Sequence, residues 1–432
     1  MSDATPERGA RIGVHARKWS SDKRKRAPSD ASSLSPHPPR VTVRVVSYNI
    51  LADANAQAFA GALYRVARHR LDWGNRSRAI VEELRCLLGD IVCLQEFEER
   101  AGEVSKRLGE SGYAAGASAR RSESATGESK RDSCAIFYRR EVFVEEIREE
   151  VRFSDWNLGD NVACVSVLRH RERAKSRLVV ANAHLIFNPK RGDLKVGQCR
   201  QLLEIVGRVK GELIASGLEV HSVLAGDWNF NPESPLYEFL FAGTIDLSLV
   251  NRRELSGALV DGDGSDDEAC DTDALTMTAA GSELVSEAET VAVNAMRRGW
   301  NAESLALALG DKAIPFPSRT GVEIEVTKHT SRECDVAQIQ EMMRLTPGGL
   351  TVCHAFDGEL LSAYRTVEGR EPEFTTCHAK FVGTNDYIWY TPGIEPIRVL
   401  RCPSLEEVLQ HRRLPSVRHA SDHISMVVDF IF

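Results

Sequence analysis

Short apolar stretches rich in β-branched residues alternate along this chain with stretches in which apolar residues recur every three or four positions. The first pattern predicts β-strands and the second predicts amphipathic helices. Helices are expected at 76–88 and 197–216. The strands are expected at 41–48, 91–94, 134–138, 162–168, 178–183, 222–225, 387–390 and 424–432. Because strands outnumber helices, the pattern favours an α/β sandwich.

Polar side chains lie where these apolar stretches begin or end. Asp227 and Asn229 follow one of them, and residues two apart on a strand face the same side, so a carboxylate and a carboxamide lie together. Such a pair can hold and deprotonate a water molecule. Comparable acids, amides and imidazoles occur at Asn49, Glu96, His184, Asp386, Asp422 and His423. Oxygen ligands without thiolates favour Mg²⁺ or Mn²⁺ over zinc, and imidazoles beside carboxylates suit phosphoryl chemistry.

In this order the polar clusters resemble the endonuclease/exonuclease/phosphatase superfamily of metal-dependent phosphoesterases. Two longer segments, HLIFNPKRGDLK at 184–195 and NPESPLYEFL at 231–240, are similar to Angel proteins and plant carbon catabolite repressor homologues of the deadenylase branch. The resemblance implies a four-layer α/β/β/α sandwich of two mixed β-sheets flanked by helices, in one catalytic domain at 41–432. No leucine-rich repeats are present in the sequence, so docking to a scaffold through such repeats is not implied.

The resemblance also implies the metal ligands. Glu96 is expected to be the principal ligand, with Asn49 beside it and Asp422 completing the shell. The ions expected are one or two Mg²⁺, with Mn²⁺ as the alternative.

The remaining roles concern the chemical step. Asp227 is expected to orient and deprotonate the attacking water, assisted by Asn229. Asp386 is expected to hold the imidazole of His423, which neutralises the scissile phosphate together with His184. A carboxylate on one ring nitrogen fixes the tautomer and favours the imidazolium form, which stabilises an anionic transition state.

Five further residues are candidates for binding substrate. Pro189 and Phe381 fall at positions that sandwich the terminal adenine in poly(A)-specific relatives, and stacking contributes ~1–3 kcal/mol per base. Plain packing of a loop proline and a strand phenylalanine is the alternative. Lys190, Arg191 and Lys195 form a basic run that suits backbone phosphates, although a solvated loop has the same composition.

Three functions fit these residues. The first is a Mg²⁺-dependent 3′-to-5′ exoribonuclease acting on RNA 3′ ends, with a preference for the poly(A) of mRNA. The second is an RNA 2′,3′-cyclic phosphatase, as associated with Angel relatives. The third is a catalytically silent module that binds RNA or a translation factor, but such a relative is expected to have lost part of the catalytic set, and here the set is complete.

Composition limits the class of protein further. Hydrophobic residues make up 42% of the chain and charged residues 27%, which are globular values. No apolar run approaches the ~18 residues of a membrane span, so no membrane partner is expected. The ten cysteines include no Cys-x-x-Cys pair and suit a reducing, cytoplasmic or nuclear, compartment. The net charge of −7 does not exclude a phosphate substrate, because acidic residues can bind metal. Nothing indicates the oligomeric state.

Two segments lack hydrophobic periodicity. Residues 1–40 hold nine Lys or Arg against four Asp or Glu, and we expect a disordered basic leader whose run at 23–26 is a nuclear address, a weak RNA contact or a solvated tail. Seven of the thirteen residues at 261–273 are acidic and none is basic, which predicts a disordered acidic insertion at about 255–300. Short helices are expected after it, near 302–309 and 336–344.

Overall fold

The computed structural model describes residues 13–21, 41–98, 102–121, 132–257, 287–310, 338–340, 342–344, 349–356, 358–411 and 413–432. Its strands are β1 Trp19–Ser21, β2 Thr42–Asn49, β3 Ile91–Glu98, β4 Tyr113–Arg120, β5 Asp132–Arg139, β6 Phe143–Arg152, β7 Val162–His170, β8 Ser176–His184, β9 Glu219–Asp227, β10 Thr244–Asp246, β11 Thr351–Cys353, β12 Leu361–Ser362, β13 Thr376–Cys377, β14 Val382–Gly383, β15 Asp386–Tyr390, β16 Glu395–Leu400 and β17 Met426–Ile431. Its α-helices are α1 Asp53–Ala58, α2 Trp73–Leu87, α3 Gly102–Glu110, α4 Gly192–Ala215, α5 Pro235–Ala242, α6 Glu287–Arg297, α7 Ala302–Leu309, α8 Ala363–Glu368 and α9 Leu405–Gln410.

Two mixed sheets form the centre of the molecule. One has seven strands in the order β1-β16-β17-β2-β3-β5-β4, and the other has six in the order β12-β15-β9-β8-β7-β6. Only β2 with β3 and β8 with β9 pair in parallel among the named strands of these two sheets. Parallel neighbours end at the same edge of a sheet, so each pair brings two strand ends together.

Alternating side chains of the strands divide the apolar interior into three layers. Val45 and Val180 belong to the layer between the two sheets. The neighbouring Val46 faces α2 and α3, and the neighbouring Val179 faces α4, α5 and α7. The four-layer α/β/β/α sandwich predicted from the resemblance is therefore confirmed.

The strands and helices expected from periodicity are present, with shifted ends. Nine of the seventeen described strands were not predicted, and the two longest of these are β4 and β6. β4 carries small residues at most positions, and β6 is an edge strand in which charged side chains interrupt the apolar alternation. α4 begins at Gly192, five residues before the predicted start; Lys195 of the basic run lies in its first turn, whereas Lys190 and Arg191 precede the helix.

Part of the predicted disordered leader is ordered. Residues 13–16 form a turn of 3₁₀-helix, and β1 pairs with β16 at the edge of the seven-stranded sheet. Arg17 donates hydrogen bonds to the carbonyl oxygens of Leu400, Arg401 and Ser425 and to the hydroxyl of Ser425. The prediction of disorder is therefore wrong for residues 13–21, and the rest of residues 1–40 lies outside the described residues.

The predicted acidic insertion is also partly ordered. Helix α6 lies within it, and its residues Ala292 and Ala295 are completely buried against the outer apolar layer of the six-stranded sheet. The prediction of disorder is wrong for this part, whereas the acidic run at 261–273 lies outside the described residues. Helix α7 coincides with its prediction, and the helix predicted at 336–344 falls partly outside the described residues. Within the part of the chain that is described, no helix is both long and apolar enough to cross a membrane.

Candidate active site

Glu96 lies at an irregularity of β3. The pairing of β3 with β5 shifts register between Leu94 and Phe97, and Glu96 has a φ of 54°, in the left-handed region. Such a conformation costs ~1–3 kcal/mol in a residue with a side chain and is typical of functional sites. The Glu96 carboxylate accepts hydrogen bonds from the Ala52 backbone at 2.9 Å and the Asn55 amide at 2.6 Å. The bulge and these two donors together fix the direction of the carboxylate.

Asp227 ends β9, directly beside the end of β8. The amide nitrogen of Asn49 donates to Asp227 Oδ2 at 3.0 Å and to Glu96 Oε1 at 3.2 Å, so one amide joins the ends of both sheets. The Asn229 backbone donates to Asp227 Oδ1 at 3.1 Å, and Asn229 itself has a φ of 54°. At Gly226, where φ is 152°, an added Cβ would come within 2.1 Å of the Ala183 carbonyl oxygen, so this approach of β8 to β9 requires glycine.

Two imidazoles face the same oxygen of Asp227. The Nε2 atoms of His184 and His423 lie 3.7 Å and 3.6 Å from Asp227 Oδ2. The other ring nitrogen of His423, Nδ1, lies 2.8 Å from Asp386 Oδ2, which also accepts a hydrogen bond from the Thr375 hydroxyl at 2.5 Å. Asp386 stands opposite Asp227 in the antiparallel pairing of β15 with β9. The structure thus brings both predicted histidines and both predicted aspartates together.

Burial and charge act in opposite directions on these groups. Burial raises the pKa of Asp227 to about 6, although His423 and His184 counteract that rise. Burial by itself would lower the pKa of His423, but the Asp386 and Asp227 carboxylates outweigh it and hold that pKa well above its ordinary value. The arrangement therefore favours a carboxylate at position 227 beside an imidazolium at position 423.

Asp422 lies next to His423 and has a partner that the sequence did not indicate. The Tyr64 hydroxyl donates to Asp422 Oδ2 at 2.9 Å. Tyr64 is buried in a small apolar cluster with Leu51 and Leu71, in a part of the chain without strand or helix periodicity, so no local signal identified it. Asp422 is also near the Ser421 hydroxyl, at 3.3 Å.

Buried amides behind the site support the strand ends. Gln95 donates to Asn182 Oδ1 at 2.7 Å, and Asn182 donates to the Leu94 and Ala135 carbonyl oxygens, which ties β8 to the opposite sheet. Asn161 donates to the His184 carbonyl oxygen at 3.1 Å. These residues were not predicted as site residues, since single buried amides have no distinctive sequence pattern.

The donor set suits a hard divalent cation. Four carboxylates converge with two imidazoles, so the group has an excess of negative charge that oxygen-preferring Mg²⁺ or Mn²⁺ would balance. The carboxylates and imidazoles are those of Glu96, Asp227, Asp386, Asp422, His184 and His423. Among the described residues, the ligand atoms of Asp227, Asp386 and His423 all lie within 4.8 Å of one another. This group differs from the predicted ligands, and its Asp386–His423 members are already joined by a hydrogen bond.

Phe381 and Pro189 lie on different elements of the fold. Phe381 is half-buried in the β13–β14 hairpin, where its ring covers Gly383 and lies 6.1 Å from the ring of His378. The hairpin contacts the site directly, because Thr376 bridges to His423 and the Cys377 backbone donates to the Asp422 carbonyl oxygen. Pro189 is half-buried in the connection between β8 and α4.

The basic run has two different environments. Lys190 and Arg191 are partly exposed, and the guanidinium of Arg191 makes a two-point contact with Asp193 at 3.0 Å. Lys195 is only 1% exposed, and its ammonium donates to the Asn229 carbonyl oxygen at 2.6 Å. Burial lowers the pKa of Lys195 to about 7. A buried ammonium is not accessible to a backbone phosphate, so the structure replaces that expected role with support of the segment after Asp227.

Comparison with known proteins gives consistent results. A model of the Endonuclease/Exonuclease/phosphatase family matches residues 46–423. Carbon catabolite repressor protein 4 homolog 3 of Arabidopsis thaliana is 30% identical over 414 residues, covering 94% of this chain and 78% of that protein. Protein angel homolog 2 of Danio rerio is 29% identical over 419 residues, covering 89% of this chain and 63% of that protein. The crystal structure of ANGEL2, a 2′,3′-cyclic phosphatase, in complex with adenosine-2′,3′-vanadate has a TM-score of 0.66 at 23% identity, over 96% of this chain and 98% of that chain, and so shares the fold.

Proposed function

This chain belongs to the endonuclease/exonuclease/phosphatase family, and from that premise we propose that it is a divalent-metal-dependent 3′-to-5′ exoribonuclease with a preference for terminal adenine. The observation that carries the proposal is the Asp227 carboxylate oxygen placed 3.7 Å and 3.6 Å from two imidazoles. A base next to two potential cations is the arrangement that in-line attack of water on a phosphodiester requires.

In the proposed reaction, Asp227 accepts a proton from the attacking water, and Asn229 orients the segment that carries this carboxylate. The new bond forms between the water oxygen and phosphorus, and the bond to the 3′ oxygen of the preceding ribose breaks. His423, kept protonated by Asp386, and His184 stabilise the charge on the phosphate oxygens.

We assign the metal to Glu96, with Asn49 and Asp422 as further ligands. Bound Mg²⁺ or Mn²⁺ would neutralise charge on the transferred phosphate. Glu96 supports this assignment because its strained backbone and two hydrogen-bond donors fix the direction of its carboxylate.

The terminal adenine is assigned to Phe381. The ring belongs to a hairpin that hydrogen-bonds to the Asp422–Ile424 segment, so a base stacked on it would lie beside the phosphate-handling residues. The resemblance to the deadenylase branch supports RNA as the substrate, and Pro189 is the proposed second face of the clamp.

A 2′,3′-cyclic phosphatase activity is the second candidate, and similarity to Protein angel homolog 2 over 89% of this chain favours it. Opening a cyclic phosphate is also attack of water on phosphorus with departure of a ribose oxygen. The same Asp227 and imidazoles would serve both reactions.

The deciding experiment offers purified protein and Mg²⁺ two RNAs that differ only at the 3′ end. One ends in oligo(A) with a free 3′-hydroxyl, and the other carries a 2′,3′-cyclic phosphate. We expect stepwise release of mononucleotides from the first RNA, with an Asp227→Asn variant as the control for contaminating nuclease. Opening of the cyclic phosphate without shortening of the oligo(A) would select the phosphatase. Turnover of neither RNA would contradict both enzymatic proposals and select the silent RNA-binding module.

A further inference from the structure

A cleft beside the His378–Phe381 loop has no role in the proposed reaction. Arg65, Ala379, Leu409 and Arg413 line it, and it has a volume of about 290 Å³. We call this feature the arginine cleft. Its walls come from the loop after α1, from the hairpin loop and from the end of α9.

The arginine cleft carries two positive charges that form no ion pair with an acidic side chain in the part of the chain that is described. Arg65 is exposed, and among the described residues no acidic side chain pairs with it. The guanidinium of Arg413 donates to the His378 carbonyl oxygen at 2.6 Å, a contact that orients the side chain, and it makes no salt bridge to a described acidic residue. Lys380 is exposed on the same loop. Glu406 is exposed on α9, but it is not among the residues that line the cleft.

The cleft is joined to the site by short contacts. Arg65 follows Tyr64, whose hydroxyl bonds to Asp422, and the Ala379 backbone donates to the Leu63 carbonyl oxygen at 3.0 Å. The Phe381 ring belongs to the other end of the loop, where the His378 backbone donates to the Phe381 carbonyl oxygen at 2.9 Å. The cleft and the proposed base clamp thus both include residues of one loop.

We propose that the arginine cleft binds the backbone phosphates of RNA nucleotides upstream of the cleaved bond. This inference rests on the proposed function, because a chain whose 3′ nucleotide occupies the site must continue across the surrounding surface. Two arginines beside the side chain of Leu409, which is 46% exposed, supply the positive charge that tracks the backbone in grooves for single-stranded nucleic acid.

The test is the dissociation constant of the full chain for a fluorescent RNA of about 20 nucleotides, measured over a range of salt concentrations. Arg65→Glu should weaken binding about tenfold and reduce the slope of log Kd against log salt by about 0.7, the value for one lost phosphate contact on a single strand. Lys106→Glu, a charge reversal at an exposed residue of α3, is the matched control and should change neither quantity.

Chain length supplies a second readout. The KM for a trinucleotide, which is too short to occupy both the site and the cleft, should change less than about twofold in Arg65→Glu, whereas the KM for the long RNA should rise about tenfold. Arg413→Gln is the second variant and should also weaken binding of the long RNA. Arg413→Lys keeps the positive charge, so it should lose less affinity than Arg413→Gln.

The outcomes separate the two proposals. If the wild-type protein binds and shortens the long RNA but Arg65→Glu keeps its dissociation constant and salt slope, the cleft proposal is wrong and the proposed function stands. Equal losses for short and long RNA, or for Arg65→Glu and Lys106→Glu, would also overturn the cleft proposal. If the wild-type protein binds no RNA, both proposals are overturned.

Discussion

Phe381 is the residue whose substitution tests the proposed preference for terminal adenine. Its ring is half-buried over Gly383, and the neighbouring Val382 is 38% exposed on the same hairpin. Phe381→Ala should reduce kcat/KM on oligo(A) tenfold to a hundredfold, corresponding to ~1–3 kcal/mol of lost stacking. Oligo(U), which stacks less well, should be affected less. Val382→Ala is the control and should leave both rates near wild type. An unchanged oligo(A) rate in Phe381→Ala would show that the ring only packs its hairpin.

Lys195 contacts the candidate site indirectly, because its ammonium donates a hydrogen bond to the Asn229 carbonyl oxygen. Lys195→Met keeps the length of the side chain but removes the ammonium, which leaves that carbonyl without its donor and shifts the segment carrying Asp227. We expect kcat to fall about tenfold to a hundredfold, since small misplacement of a catalytic group has this effect. The dissociation constant for RNA should stay within about twofold. Weaker RNA binding with normal kcat would restore the role in phosphate binding.

At the level of elements, the segment at 13–21 packs against the edge of the seven-stranded sheet. Arg17 bonds to Ser425, and the Ser425 hydroxyl donates at 2.7 Å to Glu83, a completely buried carboxylate. Burial raises the pKa of Glu83, and the hydrogen bond from Ser425 counteracts it first, with Arg17 adding to that effect. Removing the segment would therefore leave the buried Glu83 carboxylate with fewer groups that stabilise its negative charge.

The Arg17→Ala substitution tests this contribution. The free energy of unfolding should fall by about 2–3 kcal/mol, because charged hydrogen bonds contribute about 1.5–3 kcal/mol and several are lost together. Lys18→Ala, at the adjacent exposed residue, should change it by less than about 0.5 kcal/mol. Urea denaturation of both variants measures the difference. Equal stability of the two variants would mean that the segment is not a structural part of the domain.

His419 makes the same region sensitive to acid. Its ring lies against Gly13, and burial, followed by repulsion from Arg17 and Arg418, lowers its pKa to about 3. An unfolded chain binds a proton at this imidazole below about pH 6.5, whereas the folded chain does not until about pH 3. Stability should therefore fall as pH falls between these values, by up to about 1.4 kcal/mol per pH unit. Unfolding measured at several pH values should show a smaller loss for His419→Gln, and identical slopes would contradict this assignment.

For the whole molecule, stability and activity have separate physical sources. Three apolar layers hold the sheets and helices, whereas the candidate metal ligands lie at the edge where the strands end. Chelation with EDTA should abolish turnover while the circular dichroism spectrum is retained. Tm should fall by only a few degrees, because the metal then no longer stabilises the folded state by binding to it. Added Mg²⁺ or Mn²⁺ should restore activity. Full unfolding on chelation would show that the metal is a structural part of the fold.

The strand pattern and the order of polar clusters were readable from the sequence, because burial on two faces of a strand produces apolar runs and functional residues interrupt them where the strands end. The α/β class and helix α7 were predicted from the pattern, whereas the four-layer arrangement was implied by the resemblance of the ordered polar clusters to a known family. β6 was not, because an edge strand with charged side chains lacks that signal.

The sequence by itself determined which residues are candidates: an acid, amide or imidazole at a strand end is visible as a break in an apolar run. Only the tertiary structure decided how they are supported. Tyr64 reaches Asp422 across 358 positions of the chain, and Arg17 reaches Ser425 across 408. The sequence suggests that Lys195 is a surface lysine, but the packing of α4 places its ammonium against the Asn229 carbonyl oxygen. Local periodicity reports whether a side chain is buried, but the partner it meets depends on how distant elements pack, and no local pattern encodes that choice.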